Sequence, residues 1–380
     1  MIKVSVKTFL KKAYRKTKTF TRKNTVTVIA AVAALITCFI VPPDKEYLGY
    51  IDFKTLACLF SVLAVVRALR NLRFFYKIAA SIVKVFKNTR NCILALVYIT
   101  FIGSMLIAND MALLTFLPLG YYVLRSTGKE KHMAFTFIMQ NIAANLGGML
   151  TPFGNPQNLY LYTKYNIPTG EFMLIMAPPF VIAIIMITAC CLFVKKEPLQ
   201  IEEDEIKLPP GKTAIYLLLF ALSIMMVFRF MPYQKGLIVV AVSIFFMDKY
   251  ALKKVDYPLL MTFVFFFIFS GNMARIDAVR EFFSFLLEKS TLIFSVLSCQ
   301  AISNVPSAIL LSQFTDNYKE LLWGVNIGGA GTLIASLASL ITLREYTKRN
   351  KGKTKEYVLK FSAYNFMFVI VLTGAMLIWR

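Results

Sequence analysis

The chain has 380 residues, 58 % of them hydrophobic and only 17 % charged. A soluble domain averages about 45–50 % apolar and about 25 % charged, so this composition excludes a soluble globular fold. The apolar runs are continuous and approach the roughly 20 residues that span a bilayer, which excludes a β-barrel of short alternating strands and indicates a polytopic α-helical membrane protein. The net charge of +23 would suggest nucleic acid in a soluble chain; here it reads as Lys and Arg gathered in cytoplasmic loops.

In chain order, residues 1–24 are basic and lead into an apolar run at 25–42. No small-residue cleavage signature follows, so this run is expected to remain as the first helix. Further crossings are expected over 48–68, 133–163, 171–194, 213–231, 235–251, 256–274, 319–343 and 357–379, with hairpins around 91–125 and 291–315. Segments 71–90 and 275–289 are too charged to span and too apolar to float, and are expected as interfacial amphipathic helices. The stretch 195-KKEPLQIEEDEIKLPPGK-212 is the one obvious linker. The expected organisation is a basic cytoplasmic terminus (1–24), a first repeat (25–194), a linker (195–212) and a second repeat (213–379). With the N-terminus inside and each hairpin returning to its own side, the cytoplasmic segments hold 33 of the 43 Lys and Arg.

The repeat is visible without gaps. Over 145-NLGGMLTPFGNPQNLYLY-162 and 326-NIGGAGTLIASLASLITL-343, Asn145 falls on Asn326, Gly147 and Gly148 on Gly328 and Gly329, and Thr151 on Thr332. Upstream, 107-IANDMALL-114 lies over 302-ISNVPSAI-309, with Asn109 on Asn304, and Asp52 lies over Asp256. The charge-based topology sends the spans at 48–68 and 256–274 in opposite directions, so the halves are expected to be inverted, an architecture of many secondary transporters. The expectation is an all-α integral membrane protein, an inverted-repeat transporter with about nine transmembrane helices, two re-entrant hairpins and two broken helices.

Gly, Pro and amides at 145–158 would break a crossing helix, and unwound main chain at membrane depth survives only where protein or a water-filled cavity satisfies it. One such break reads equally well as a kink whose Asn side chains bridge helices. Two in matched positions, each preceded by an Asn-bearing hairpin, point to a solute site. Carbonyls and Asn oxygens are hard ligands for Na⁺, and half-helix N-termini offer N–H groups to an anion. The candidate substrate- and cation-binding residues are Asn109, Asp110, Thr151, Gly154, Asn155, Asn158, Ser303, Asn304, Thr332, Ser336 and Ser339. Asp110 has two readings, a carboxylate on an ion or proton pathway or a helix cap at a tip that reaches water. His132 reads as a solvated loop residue, and Trp323 and Trp379 as interfacial anchors.

The six cysteines make no metal-type spacing and read as small core residues. The sequence contains no P-loop, no HExxH and no GxSxG. No metal site, catalytic residue or cofactor is expected beyond Na⁺ as a coupling ion.

The segments ANDMALLTFLPLG (108–120), NLGGMLTPFGNPQNLYLY (145–162), ISNVPSAILL (302–311) and NIGGAGTLIASLASLI (326–341) resemble the ion transporter superfamily. More narrowly, they are similar to its citrate-transporter-like and arsenite-permease-like branch, related to the divalent anion/sodium symporters. The resemblance implies a plasma-membrane homodimer in which a moving domain carries the site past a fixed scaffold in elevator fashion. It implies transport of a small anion, an organic carboxylate such as citrate or an inorganic oxyanion, coupled to Na⁺ or H⁺. Arsenite or ion efflux, cation/proton antiport, and a non-transport protein on the same fold are the alternatives. The symporter relatives carry Ser-Asn-Thr at each hairpin tip. Here the triplets are Ala108-Asn109-Asp110 and Ser303-Asn304-Val305. The Asn is kept and the Thr is absent from both, which weakens the case for a dicarboxylate and strengthens that for a smaller anion or for proton coupling through Asp110.

Overall fold

A computed structural model describes residues 24–199 and 207–379. The basic terminus expected over 1–24 lies almost wholly outside the described residues, as does part of the expected linker, 200–206. Among the described residues the chain is helical throughout, with no strand. The elements are α1 (Thr25–Ile40), α2 (Tyr47–Tyr50), α3 (Phe53–Asn71), α4 (Phe74–Lys84), α5 (Thr89–Ile107), α6 (Asn109–Ser126), α7 (Met133–Gly147), α8 (Pro156–Lys164) and α9 (Thr169–Leu192). After the linker come α10 (Pro210–Val227), α11 (Tyr233–Met247), α12 (Lys249–Lys253), α13 (Tyr257–Ala274), α14 (Asp277–Ile302), α15 (Asn304–Leu311), α16 (Tyr318–Gly328), α17 (Leu337–Arg349) and α18 (Thr354–Trp379).

Local chemistry sets many of the helix starts. Asp52 accepts from the Thr55 N–H at 2.9 Å to cap α3, and its sequence match Asp256 accepts from Leu259 N–H at 3.1 Å to cap α13. Asn88 caps α5, Asn317 caps α16 and Ser336 caps α17 in the same way. Pro156 and Pro210 open α8 and α10, where a missing N–H costs nothing.

Six helices among the described residues are long and apolar enough to cross a membrane: α5, α9, α10, α13, α14 and α18. α1 and α11 are apolar but shorter. α14 is two segments that meet at Ser290, where the backbone leaves helical geometry (φ −167°, ψ 102°). Its first segment corresponds to the amphipathic piece expected at 275–289, and its second is the first arm of the second hairpin. The other amphipathic piece is α4, which turns away from α3 by 60°.

The apolar core falls into three clusters. The main cluster joins α5–α9 to α13–α18 and takes in Met226 and Val227 at the end of α10; Val65, Ala68 and Leu69 of α3 form a second with Tyr216, Leu219, Val240, Ile244 and Ala251 from α10, α11 and α12, and Leu63, Ala64 and Val255 form a small third. The opposite face of α3, through Cys58, Leu59, Val62 and Val66, packs on the main cluster. α1 lies against α13 through a line of polar contacts. Thr27 and Thr262 share a hydrogen bond of 2.8 Å, and Asn272 donates to Thr37 at 3.2 Å.

Two expectations are corrected. Trp323 is not an interfacial anchor: it is 1 % exposed, and its indole N–H donates to the Ile175 carbonyl at 2.6 Å, so it pins α16 to α9 inside the protein. Trp379, at the end of α18, is exposed. His132 is half-buried rather than freely solvated. Desolvation, helped by the Lys131 charge, lowers its pKa.

The start of the linker straps the base of the first hairpin. The Glu197 carboxylate meets Lys129 at 2.7 Å and Lys131 at 2.5 Å, and its carbonyl accepts from the Thr89 N–H at 2.8 Å. Arg90 donates to the Val194 carbonyl at 2.6 Å. Both ends of the hairpin therefore lie on one side of the molecule.

Candidate functional site

Two hairpin tips meet two helix breaks. The first hairpin turns at Ala108 between α5 and α6, and the second at Ser303 between α14 and α15. Both residues take nearly the same unusual backbone, φ 65°, ψ 150° at Ala108 and φ 77°, ψ 158° at Ser303. That region is essentially reserved for glycine, and holding another residue there costs on the order of 1–3 kcal/mol, so surrounding contacts must fix it. They do so alike at each tip. The following Asn folds back, with Asn109 Oδ1 accepting from Asp110 N–H and Asn304 Oδ1 from Val305 N–H, each at 2.9 Å.

The breaks separate α7 from α8 and α16 from α17, near the middle of each broken span. Thr151, in the first break, donates to the Met105 carbonyl at 2.7 Å; Thr332, in the second, donates to the Gln300 carbonyl at 3.3 Å. Met105 and Gln300 each lie three residues before their tip. The threonines matched in sequence thus make equivalent hydrogen bonds from break to hairpin.

Each break exposes main-chain groups that need partners. Asn158 in α8 answers for the first, with its Nδ2 facing the carbonyls of Gly148 (3.3 Å), Met149 (3.1 Å) and Thr151 (3.4 Å). Gly148 and Gly154 pack against each other so closely that a methyl on Gly148 would lie 2.8 Å from the Gly154 carbonyl oxygen. Gln300 of the second hairpin serves the other break: it donates to the Gly328 carbonyl at 2.9 Å and accepts from Thr332 N–H at 2.8 Å. Ser303 Oγ and Asn304 N–H both donate to the Ala335 carbonyl, at 3.2 and 2.9 Å.

Asn326 joins the two halves. Its Oδ1 accepts from Asn155 at 3.2 Å and Gln157 at 3.3 Å, and its Nδ2 donates to Asn158 Oδ1 at 2.6 Å. Asn141 makes a second bridge, donating to Ser339 Oγ at 3.4 Å and accepting from Thr342 Oγ1 at 3.2 Å. Ser336 Oγ accepts from Ser339 N–H at 3.2 Å to cap α17. Asn109 donates to Asn145 Oδ1 at 3.1 Å, and Asn155 donates to the Asn145 carbonyl at 3.1 Å.

Of the candidate residues, Asn109, Thr151, Gly154, Asn155 and Asn158 lie around the first junction, and Ser303, Asn304, Thr332, Ser336 and Ser339 around the second. Asn158 and Ser339 are fully buried and spend their polar atoms on protein partners. Asp110 caps no helix N–H among the hydrogen bonds at its tip, and its Oδ1 is buried without a partner. Asn155 Oδ1 and Gln157 Oε1 are likewise buried and unpaired. All three orphans near the first junction are acceptor oxygens. The sequence reading omitted Asn141 and Gln300; an amide inside an otherwise apolar helix was the signal available for both.

A helical membrane protein with tips seated in matched helix breaks is built as a transporter. The chain belongs to the citrate transporter family, whose CitMHS profile matches residues 16–319. It is 35 % identical over 300 residues to an uncharacterized transporter of Methanocaldococcus jannaschii, covering 79 % of this chain and 82 % of that protein. It is 28 % identical over 315 residues to the inner membrane protein YbiR of Escherichia coli, covering 80 % and 83 %. The protein is a multi-pass membrane transporter and not an enzyme.

Proposed function

We propose that the protein is a secondary active transporter moving a small anion, citrate or another organic carboxylate or an inorganic oxyanion, across the plasma membrane in symport with a cation. The observation that carries this reading is the pair of equivalent tip-to-break junctions, Thr151 with Met105 and Thr332 with Gln300. Main chain interrupted at mid-span in two related places is what a solute site between inverted repeats requires. The halves are read as inverted, the N-terminus as cytoplasmic and the assembly as a homodimer. The unit of α3 with α10–α12 is the scaffold past which the main unit moves.

The cation belongs at the first junction. Asp110 Oδ1, Asn155 Oδ1 and Gln157 Oε1 are buried acceptors that lack donors, and a cation or a proton is what such groups lack. Asp110 is the only carboxyl at either tip, so we assign it the coupling proton, with Na⁺ as the competing coupling ion. The anion belongs at the second junction, among Ser303, Asn304, Thr332 and Ser336, where hydroxyls and the start of α17 supply donors. The same carboxyl also favours a second reading, cation/proton antiport or ion efflux, in which the first junction holds the transported species.

Uptake into proteoliposomes under imposed pH or Na⁺ gradients tests the assignment. Accumulation of citrate or an oxyanion driven by a proton gradient alone supports it. Accumulation driven only by Na⁺ removes the proton role of Asp110. Cation efflux without anion movement replaces symport by antiport.

A further inference from the structure

We infer that Arg70 and Arg229 are a pair of guanidinium latches that hold the α3/α10–α12 unit in its present position against the main unit. Each reaches from the smaller unit to a main-chain carbonyl of the larger. Arg70 Nη2, near the end of α3, donates to the Leu114 carbonyl at 3.2 Å. Leu114 lies four residues before Pro118, which sits inside α6. Proline has no N–H to give, so that carbonyl has lost its helical donor and is left for Arg70.

Arg229 follows α10 and donates to the Tyr162 carbonyl at 2.7 Å, in the last turn of α8, on an oxygen that also accepts from the Ile167 N–H at 3.2 Å. Its guanidinium lies 4.2 Å from the centre of the Tyr162 ring. The preceding Phe228 packs edge-on against Phe153 of the first break, with centroids 5.7 Å apart. Arg229 holds a left-handed φ of 66°, a conformation that these contacts maintain.

The two latches stand at opposite ends of the unit. Val65, Ala68 and Leu69, late in α3, share a cluster with Tyr216 and Leu219 of α10, while the Arg229 charge, beyond the end of α10, acts on Lys54 in the first turn of α3, so these helices run antiparallel. Arg70 lies near the end of α3, and Arg229 lies beyond the far end of α10. One latch grips the arm of the first hairpin and the other the outer half of the first broken helix. Movement of one unit past the other must break both.

This inference rests on the proposed relative movement of the two units, and its test is separable from transport. Cys58 lies on the face of α3 that packs against the main unit, while Cys191 lies in α9 within the main cluster; both are buried. The full chain in nanodiscs is labelled with a thiol reagent, and each cysteine is followed by peptide mass spectrometry. Losing a hydrogen bond from a charged donor is expected to speed Cys58 labelling about tenfold in Arg70→Ala and in Arg229→Ala, with Cys191 unchanged. Pro118→Ala restores a donor to Leu114 in a better helix former, and should speed Cys58 labelling about threefold with Arg70 intact. Should an arginine variant also expose Cys191, it has lost its fold, and Pro118→Ala decides alone. Cys58 labelled at the wild-type rate in Pro118→Ala and in every folded arginine variant overturns the latch. Absence of uptake by wild-type proteoliposomes would remove the transport reading and leave this outcome to stand by itself.

Discussion

The two tip-to-break junctions share a backbone and differ in chemistry. At each, a non-glycine residue with positive φ turns the hairpin, the next residue is an Asn that folds over its neighbour's N–H, and a threonine in the break bonds the carbonyl three residues before the tip. The first junction is then finished with amides and a carboxyl, and the second with hydroxyls and the Gln300 amide. Asn158, from the half-helix beyond the break, satisfies the freed carbonyls of the first, whereas Gln300, from the hairpin, satisfies those of the second. The shared part answers a problem common to both, keeping unwound main chain bonded inside a membrane. The divergent part is free to specialise, and only the first junction keeps buried acceptor oxygens without donors.

The sharpest way to break the comparison is to remove the shared element. Asn109→Ala and Asn304→Ala each free a strained tip and leave buried partners unpaired, at about 1–3 kcal/mol for each lost group. We expect each to lower proteoliposome uptake by about 100-fold or more while the protein remains in the membrane. Unchanged uptake in both would remove the site assignment.

The next effect separates the junctions. Asp110→Asn is expected to cut proton-driven accumulation by about tenfold and to make the remaining uptake insensitive to external pH, as befits loss of one proton-carrying group. Asp110→Glu should restore part of the dependence. A pH profile identical to wild type in Asp110→Asn would move coupling elsewhere.

A smaller loss tests the bridge between the junctions. Asn326→Ala strands Asn155, Gln157 and Asn158 together and should cost about 2–4 kcal/mol, read as a fall of several degrees in the thermal midpoint. Gly154→Ala belongs with it, because a Cβ there would sit 2.7 Å from Thr151 Oγ1 and 2.9 Å from Gly148 Cα. A midpoint unchanged in both would show that the first break is looser than its hydrogen bonds imply.

The smallest effect lies outside the bilayer. Hydrogen bonds from Lys129 and Lys131 pull the Glu197 carboxyl down to about 2. Its folded pKa is below the unfolded value, so its contribution to stability is complete above the ordinary carboxylate range and fades as pH falls from there through about 2. Glu197→Gln should leave uptake nearly unchanged and flatten this acid dependence of the thermal midpoint slightly, since ion pairs at a partly exposed surface contribute little.

Much of this was legible in the chain. Apolar runs with Pro and Asp at their starts placed the helices within a few residues, because helix length, caps and proline geometry are local. The matched Asn-Gly-Gly segments marked the breaks. Trp323 was misplaced because a tryptophan close to a helix start looks the same in sequence whether it faces the lipid interface or, as here, another helix. Asn141 and Gln300 were missed because their partners, Ser339, Thr342 and Gly328, lie on elements remote in sequence or beyond a hairpin.

The sequence by itself determined that the chain is a helical membrane protein, where its helices begin, and which two crossings break, since hydrophobicity, capping and the φ and N–H limits of Gly and Pro act over a few residues. Only the tertiary structure decided which polar atoms are spent and which are free. Asn158 and Asn109 look alike as isolated residues, yet one closes a break and the other closes a tip. Whether a buried amide is a strut or a ligand depends on the donors and acceptors that distant helices bring within about 3 Å of it, and packing of the whole chain sets that.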